Sequence, residues 1–323
     1  MKNNVQSLVW PKPLCIGDKA AITAPASPVS DEILDTAVKS IKSLELEPVL
    51  TPSCWSHRGY LAGTDRQRAD DFNHVFASDD IMAVFCLRGG YGSMRILPLI
   101  DFNIIKAHPK IMIGCSDITA LHTAINNYCG FITFHGPMPS IGYNLLDDYS
   151  LNSMKHILFH EKSPYSLENP VHEHIKILQP GNAEGILTGG NLSLLVSTLG
   201  SPYEINANGK ILFIEETGES IYRLDRLLTA LSLSGEFRDC EGIIFGTFTE
   251  CSRSESKTAA AEPTIENDSR DITDVINEVV LPWGKPTFFN LRSGHIYPQC
   301  TLPLGAYVKI NNDNKSSVNI SVL

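Results

Sequence analysis

The sequence predicts two domains: an N-terminal α/β domain on a parallel sheet, then a smaller strand-rich domain of α+β or barrel-like type. Three observations carry this. The chain has 323 residues, more than one ordinary core organises. Its first half alternates short apolar runs with amphipathic helical patterns, which marks a parallel sheet covered by helices. Its last third keeps the apolar runs but has fewer helices between them.

AAITAP reads as the first strand. A helix is expected from about Ser30, which can cap it. Asp31 and Glu32 suit the positive end of its dipole, and Ile33, Ala37, Ile41 and Leu44 mark one apolar stripe. Thr64 and Gln67 have capping-box spacing for the next helix. IMAVFCL (81–87) and KIMIG (110–114) are nearly all apolar, as strands buried on both faces are. Both run into loops of small residues, and open α/β sheets bind ligands outside the carboxyl ends of their strands. Residues 1–147 are therefore assigned to the α/β domain. From 148 to 180 the pattern loosens into polar, proline-containing text, read as an interdomain connection. Residues 181–323 form the second domain, with strand-like AEGILTGG, KILFIE, EGIIFGTF, GAYVKI and VNISVL, the last two joined by the polar turn NNDNKSS. The stretch 251–269, small and polar, reads as a surface loop.

Composition narrows function. With 26 Lys plus Arg against 36 Asp plus Glu, the formal charge is −10, which repels nucleic-acid backbones and anionic lipid. The N-terminal text is broken by Pro11 and Pro13, so no signal-peptide core is expected there, and no segment reaches transmembrane length. Eight scattered cysteines without a C-x-x-C pair read as reduced thiols of a cytoplasmic protein; four disulfides are the alternative.

Four places could carry chemistry. In KIMIGCSDITALHTAI a strand turns sharply into a helix, which would project Ser116 at the sheet edge with Asp117 N–H beside it. The second glycine of the G-x-S-x-G elbow is absent, and taken alone the motif favours Ser116 as a helix cap. Arg88-Gly89-Gly90-Tyr91-Gly92 follows IMAVFCL and suits a backbone that approaches a ligand, or simply a tight turn. It has neither dinucleotide nor P-loop spacing. His295, after Gly294 in a loop between strands, is the best placed of ten histidines to act as a base. Glu215 ends the strand KILFIE, while Glu216 and Glu219 are read as capping the helix that follows. His172 and His174 have no third ligand beside them, so no metal and no cofactor are expected.

In order and spacing, RGGYGSMRIL, MIGCSDITALH with FHGP, LTGGNLSLL, ILFIEETGESIYRLDRLL and GHIYPQCTLPLG resemble the successive motifs of the serine L,D-carboxypeptidases, across nearly the whole chain. The resemblance implies a catalytic triad of Ser116, Glu215 and His295, split between a flavodoxin- or amidotransferase-like N-terminal domain and the strand-rich one. It puts the oxyanion hole on the backbone N–H groups of Gly90 and Asp117, and it implies a homodimer. The expected activity is release of a terminal D-alanine from cytoplasmic muropeptides in cell-wall recycling. Members that confer microcin immunity share the triad and cleave peptidyl-nucleotide toxins, the alternative within the family. A non-catalytic peptide- or sugar-binding module is the alternative outside it. Arg88 and Tyr91 are the residues singled out for substrate binding; an ion pair inside the domain is the equal alternative for Arg88.

Overall fold

The computed structural model describes residues 8–160, 163–251, 270–312 and 318–323. Along the chain the first elements are β1 (Lys19–Thr23), α1 (Asp31–Ser43), β2 (Glu47–Leu50), α2 (Asp65–Ala77), β3 (Ile81–Cys86), α3 (Ser93–Ile96), α4 (Phe102–Ala107), β4 (Ile111–Gly114), α5 (Thr119–Cys129), β5 (Thr133–His135) and α6 (Asp148–Phe159). There follow β6 (Tyr165–Leu167), β7 (Lys176–Gln179), β8 (Ala183–Asn191), α7 (Leu192–Ser197), β9 (Lys210–Thr217), α8 (Ile221–Ser234), α9 (Glu236–Asp239), β10 (Gly242–Thr249), α10 (Ile272–Val279), β11 (Thr287–Phe289), β12 (Leu302–Leu304), β13 (Tyr307–Asn311) and β14 (Asn319–Val322).

The first sheet has the order β12-β5-β4-β3-β1-β2, parallel throughout except for β12. Its apolar strands are buried on both faces because successive side chains alternate. Ala83 and Phe85 of β3 enter one core cluster, and Val84 and Cys86 enter the cluster on the opposite face. Each fully buried large apolar side chain contributes roughly 1.5–3 kcal/mol.

Two helix starts differ from the sequence reading. Ser30 precedes α1 but makes no side-chain capping bond, and the buried stripe is Leu34, Ala37, Ile41 and Leu44, leaving Ile33 at 38% exposure. Thr64 Oγ1 accepts from Gln67 N at 3.1 Å, but Gln67 Nε2 donates to Ser56 Oγ at 2.6 Å, so only half a capping box forms.

The second sheet has the order β6-β14-β13-β8-β9-β10-β11-β7. Its centre, β8 to β11, is parallel, and antiparallel strands flank it on both sides. Helices α7, α8 and α10 bury one face. On the other face Leu187, Ile211, Phe213, Ile244 and Phe288 belong to the same apolar cluster as Ile22, Phe85 and Ile113 of the first sheet. One core therefore runs across the junction of the two units.

The stretch 148–180, read from sequence as connection, holds α6 and the edge strands β6 and β7; strands of three or four residues leave no periodicity to see. The chain also crosses back, since β12 from the last third pairs with β5 through Leu302 opposite His135. Except for Cys251, the loop assigned to 251–269 lies outside the described residues.

Candidate active site

At the carboxyl end of β4 the chain turns through Cys115 into a short 3-10 helix (Ser116–Ile118) and then α5. Ser116 sits there at φ 60°, a left-handed conformation that costs a non-glycine residue about 1–3 kcal/mol. No side-chain capping bond exists at the start of either helix, so Ser116 is not a cap. The turn is fixed around it. Gly114 O accepts from Gly136 N (3.1 Å) and faces His122 Nε2 (2.9 Å). The buried Asp117 carboxylate accepts from Ser93 N at 2.7 Å, and Ser93 Oγ donates to Asp117 O. Burial raises the Asp117 pKa against those bonds.

The glycine loop after β3 closes on this serine. A Cβ on Gly89 would lie 2.8 Å from Ser116 Cβ and 3.0 Å from its Oγ, so any side chain there would displace the hydroxyl. The loop is anchored by residues that carry no signal in the sequence. Ser27 N donates to Gly89 O (3.4 Å) and Ser27 Oγ accepts from Tyr91 N (3.2 Å). The fully buried Arg68 donates through Nη1 to Gly92 O (2.8 Å) and to Pro25 O. Their roles arise from contacts 24 to 64 residues apart, which no local pattern displays.

The second domain supplies the other half. Glu215, fully buried near the end of β9, accepts through Oε2 from His295 Nδ1 at 2.8 Å. Gly294 allows this approach: at φ 129° a Cβ would meet Thr247 Oγ1 at 2.8 Å and Glu215 Oε2 at 2.9 Å. Burial pulls the His295 pKa down, but the hydrogen bond and charge of Glu215, with Glu216 and Glu250 behind it, outweigh that and leave it raised.

Glu216 does not cap α8, whose start is capped by Ser220. It is buried at the junction of β8 and α7, where Oε1 accepts from Asn191 Nδ2 (2.7 Å) and Thr217 N (2.9 Å) and Oε2 from Ser193 N (2.8 Å). Successive strand residues point to opposite faces, which separates the two neighbouring carboxylates. Glu219 instead pairs with Arg223 at 3.3 Å.

Ser116 and His295 line one cavity of about 300 Å³ together with Arg88, Gly89, Gly90, Val29, Ile33, Met138 and Ser140. Arg88 donates weakly to Pro28 O at 3.4 Å and has no ion pair among the described residues, so the ion-pair alternative finds no partner there. Tyr91 does not line the cavity; beyond Gly90, at φ 107°, its ring packs on Tyr60 with centroids 5.9 Å apart. His172 and His174 are exposed, and among the described residues no three His, Cys, Asp or Glu side chains cluster as metal ligands. All eight cysteines are free thiols.

Family models now bear on this geometry. Residues 20–136 match the LD-carboxypeptidase N-terminal domain and residues 184–310 the LD-carboxypeptidase C-terminal domain. The chain belongs to the LD-carboxypeptidase family. It is a serine-type carboxypeptidase with a peptide or other small-molecule substrate. It is 40% identical over 311 residues to the "Probable murein peptide carboxypeptidase" of Bacillus subtilis, covering 95% of this chain and 93% of the relative. It is 30% identical over 286 residues to the "Murein tetrapeptide carboxypeptidase" of Pseudomonas aeruginosa, covering 87% and 89%. Among solved structures, the wild-type apo form of the microcin C7 self-immunity protein MccF superposes with a TM-score of 0.85 at 27% identity, covering 97% of this chain and 98% of that one. No helix among the described residues is long and apolar enough to cross a membrane.

Proposed function

We propose that this LD-carboxypeptidase family member removes the terminal D-alanine from muropeptide tetrapeptides by a Ser116–His295–Glu215 mechanism, in the cytoplasm, during cell-wall recycling. The observation that carries the reading is the 2.8 Å bond between Glu215 Oε2 and His295 Nδ1, with the same histidine sharing one cavity with Ser116. A serine hydroxyl is a weak nucleophile until a base takes its proton, and the base must be held in one tautomer. Glu215 accepting at Nδ1–H leaves Nε2 free to accept from Ser116 Oγ as it attacks the scissile carbonyl. The oxyanion is assigned to the N–H groups of Asp117 and of Gly90, the latter on the peptide joining Gly90 to the closely approaching Gly89. His295 then returns the proton to the departing D-alanine amine, and water hydrolyses the acyl-enzyme by the same route.

Arg88 supports an exopeptidase. A terminal carboxylate needs a local cation in a chain of net charge −10, and Arg88 lines the cavity with no ion pair among the described residues. The apolar wall of Val29, Ile33 and Met138 suits a small methyl-bearing residue, and among the described residues none that lines the cavity is an aromatic that could stack on a nucleobase. That favours a muropeptide over a peptidyl-nucleotide. Free thiols throughout fit a reducing compartment. The homodimer is carried over with the family resemblance.

The test offers purified enzyme a tetrapeptide ending in D-alanine, its C-terminal amide, its all-L counterpart and a peptidyl-adenylate. The expected result is release of one D-alanine from the first, with the amide poor; preference for the all-L peptide or the adenylate overturns the proposal.

A further inference from the structure

Behind the Glu215–His295 pair lies a group of buried polar atoms that the proposed mechanism leaves unused. His135, the last residue of β5, is fully buried, and neither ring nitrogen has a hydrogen-bond partner. Glu215 spends only one oxygen on His295; Oε1 is buried and unpartnered. Thr301 Oγ1 and Ser293 Oγ are in the same condition.

Several contacts bring these groups to one place. His135 stands opposite Gly114, two residues before Ser116, in the β4–β5 register. Its ring packs edge-on against Phe213 with centroids 5.3 Å apart. Phe213 and Glu215 are two residues apart on β9 and so project from the same face. Gly136, next to His135, approaches Thr301 so closely that a Cβ would lie 2.9 Å from its Oγ1. Ser293 is two residues from His295. Burial holds the imidazole of His135 neutral, and the charges of His122 and His295 act in the same direction. Buried polar atoms that meet no protein partner are commonly bridged by a water with two to four such neighbours.

We propose that His135 is a positioning residue: through one buried water its neutral imidazole donates toward Glu215 Oε1, fixing the second oxygen of the carboxylate that orients His295. The inference rests on the Ser–His–Glu reading but not on the identity of the substrate. A carboxylate bound at one oxygen can rotate about its Cγ–Cδ bond; bound at both, it presents Oε2 in one direction only. The neutral ring adds a donor without adding a charge beside a base that must itself become positive.

The experiment compares His135→Phe, which removes both nitrogens, with His135→Asn, which keeps a donor. Its main readout is the rate at which a fluorophosphonate labels Ser116 across pH, and its second is kcat and KM on the tetrapeptide. Loss of one hydrogen bond to a charged group predicts about a tenfold lower labelling rate and kcat for the phenylalanine variant, with KM little changed. Because Oε1 then lacks a donor, the carboxylate charge bears more fully on His295, and the acidic limb of the labelling profile moves to higher pH. Asparagine should recover most of both. Equal losses in the two variants, or an unmoved limb, overturn the proposal as mere packing. So does a high-resolution crystal structure of the wild-type enzyme without a water between the ring and Oε1, which decides the case if the phenylalanine variant does not fold. Wild-type enzyme that labels normally but ignores the tetrapeptide sinks the substrate assignment and leaves this one standing.

Discussion

Ser116 is held by its own backbone, whereas His295, in a loop, is held by a carboxylate from β9. The turn at 114–118 fixes the serine in a left-handed conformation through main-chain and side-chain bonds to Gly136, His122 and Ser93. On the other side, one hydrogen bond donated to a buried carboxylate sets the imidazole, and a glycine makes room for it. The first half should therefore keep its geometry when the serine side chain is lost, and the second should not keep its geometry without Glu215. Geometry stored in a backbone survives a mutation that geometry stored in a side-chain pair does not.

The largest expected effect tests that contrast directly. Ser116→Ala should lower kcat on the order of a millionfold while leaving the fold intact. Ser116→Gly, equally inactive, should be more stable than Ser116→Ala by about 1 kcal/mol in chemical denaturation, since glycine adopts φ 60° without strain. A glycine variant no more stable than the alanine one would show that the turn is not strained. Next, Glu215→Gln should reduce kcat by roughly ten-thousandfold, because an amide there favours the wrong tautomer of His295. The same raised His295 pKa sets the wild-type profile. Activity requires the neutral ring, so the acidic limb of kcat/KM should lie above the ordinary histidine range, near 6.5, and a limb at or below that value would remove Glu215 as the cause.

A third effect belongs to stability and to the serine's side of the site. His122 is held to about 4 by burial, against 6.5 in an unfolded chain. The unfolded state therefore binds more protons between those values, and stability present above pH 6.5 is lost on acidification toward 4. Roughly 3 kcal/mol is at stake. Chemical denaturation followed from pH 7 to 4 should show this loss together with that of His135, which burial also keeps neutral, and His122→Gln should make the slope shallower without abolishing it; an unchanged slope would place the acid sensitivity elsewhere. The smallest catalytic effect is expected at Glu216, where Gln should change kcat less than tenfold yet lower stability by about 1–3 kcal/mol, since three donors lose a charged acceptor. If Glu216→Gln damages turnover more than Glu215→Gln, the roles of the two carboxylates are reversed.

What the sequence displays and what it hides depends on how far apart the interacting residues lie. β3, β4 and β9 are legible because they are continuous apolar runs, and the turn at Ser116 because a strand pattern meets a helix pattern with nothing between. β6, β7, β11 and β12 have three or four residues each, too few for periodicity, and are defined only by the strands they pair with in the fold. Glu216 misleads for a similar reason. Beside a helix start it looks like a cap, and only its bonds to Asn191 and Ser193 at the start of α7 show which helix it serves. Ser27 and Arg68 give no local signal at all. Arg88 stands out beside its glycines, but that it has no acidic partner among the described residues emerges only from the folded surroundings.

The return of the chain at Leu302–Leu304 has a bearing on how such a protein can be divided. These three residues close the open edge of β5 in the first sheet, although they come from beyond the entire central sheet of the second unit. A fragment ending near residue 180 would lack them, and Thr133–His135 would be left as an uncovered edge beside an apolar face that the second sheet otherwise covers. Such edges recruit other chains. The two halves are thus not exchangeable cassettes. Any attempt to express the nucleophile-bearing half alone, or to graft it onto a foreign partner, should yield aggregates unless a substitute edge strand is supplied along with it.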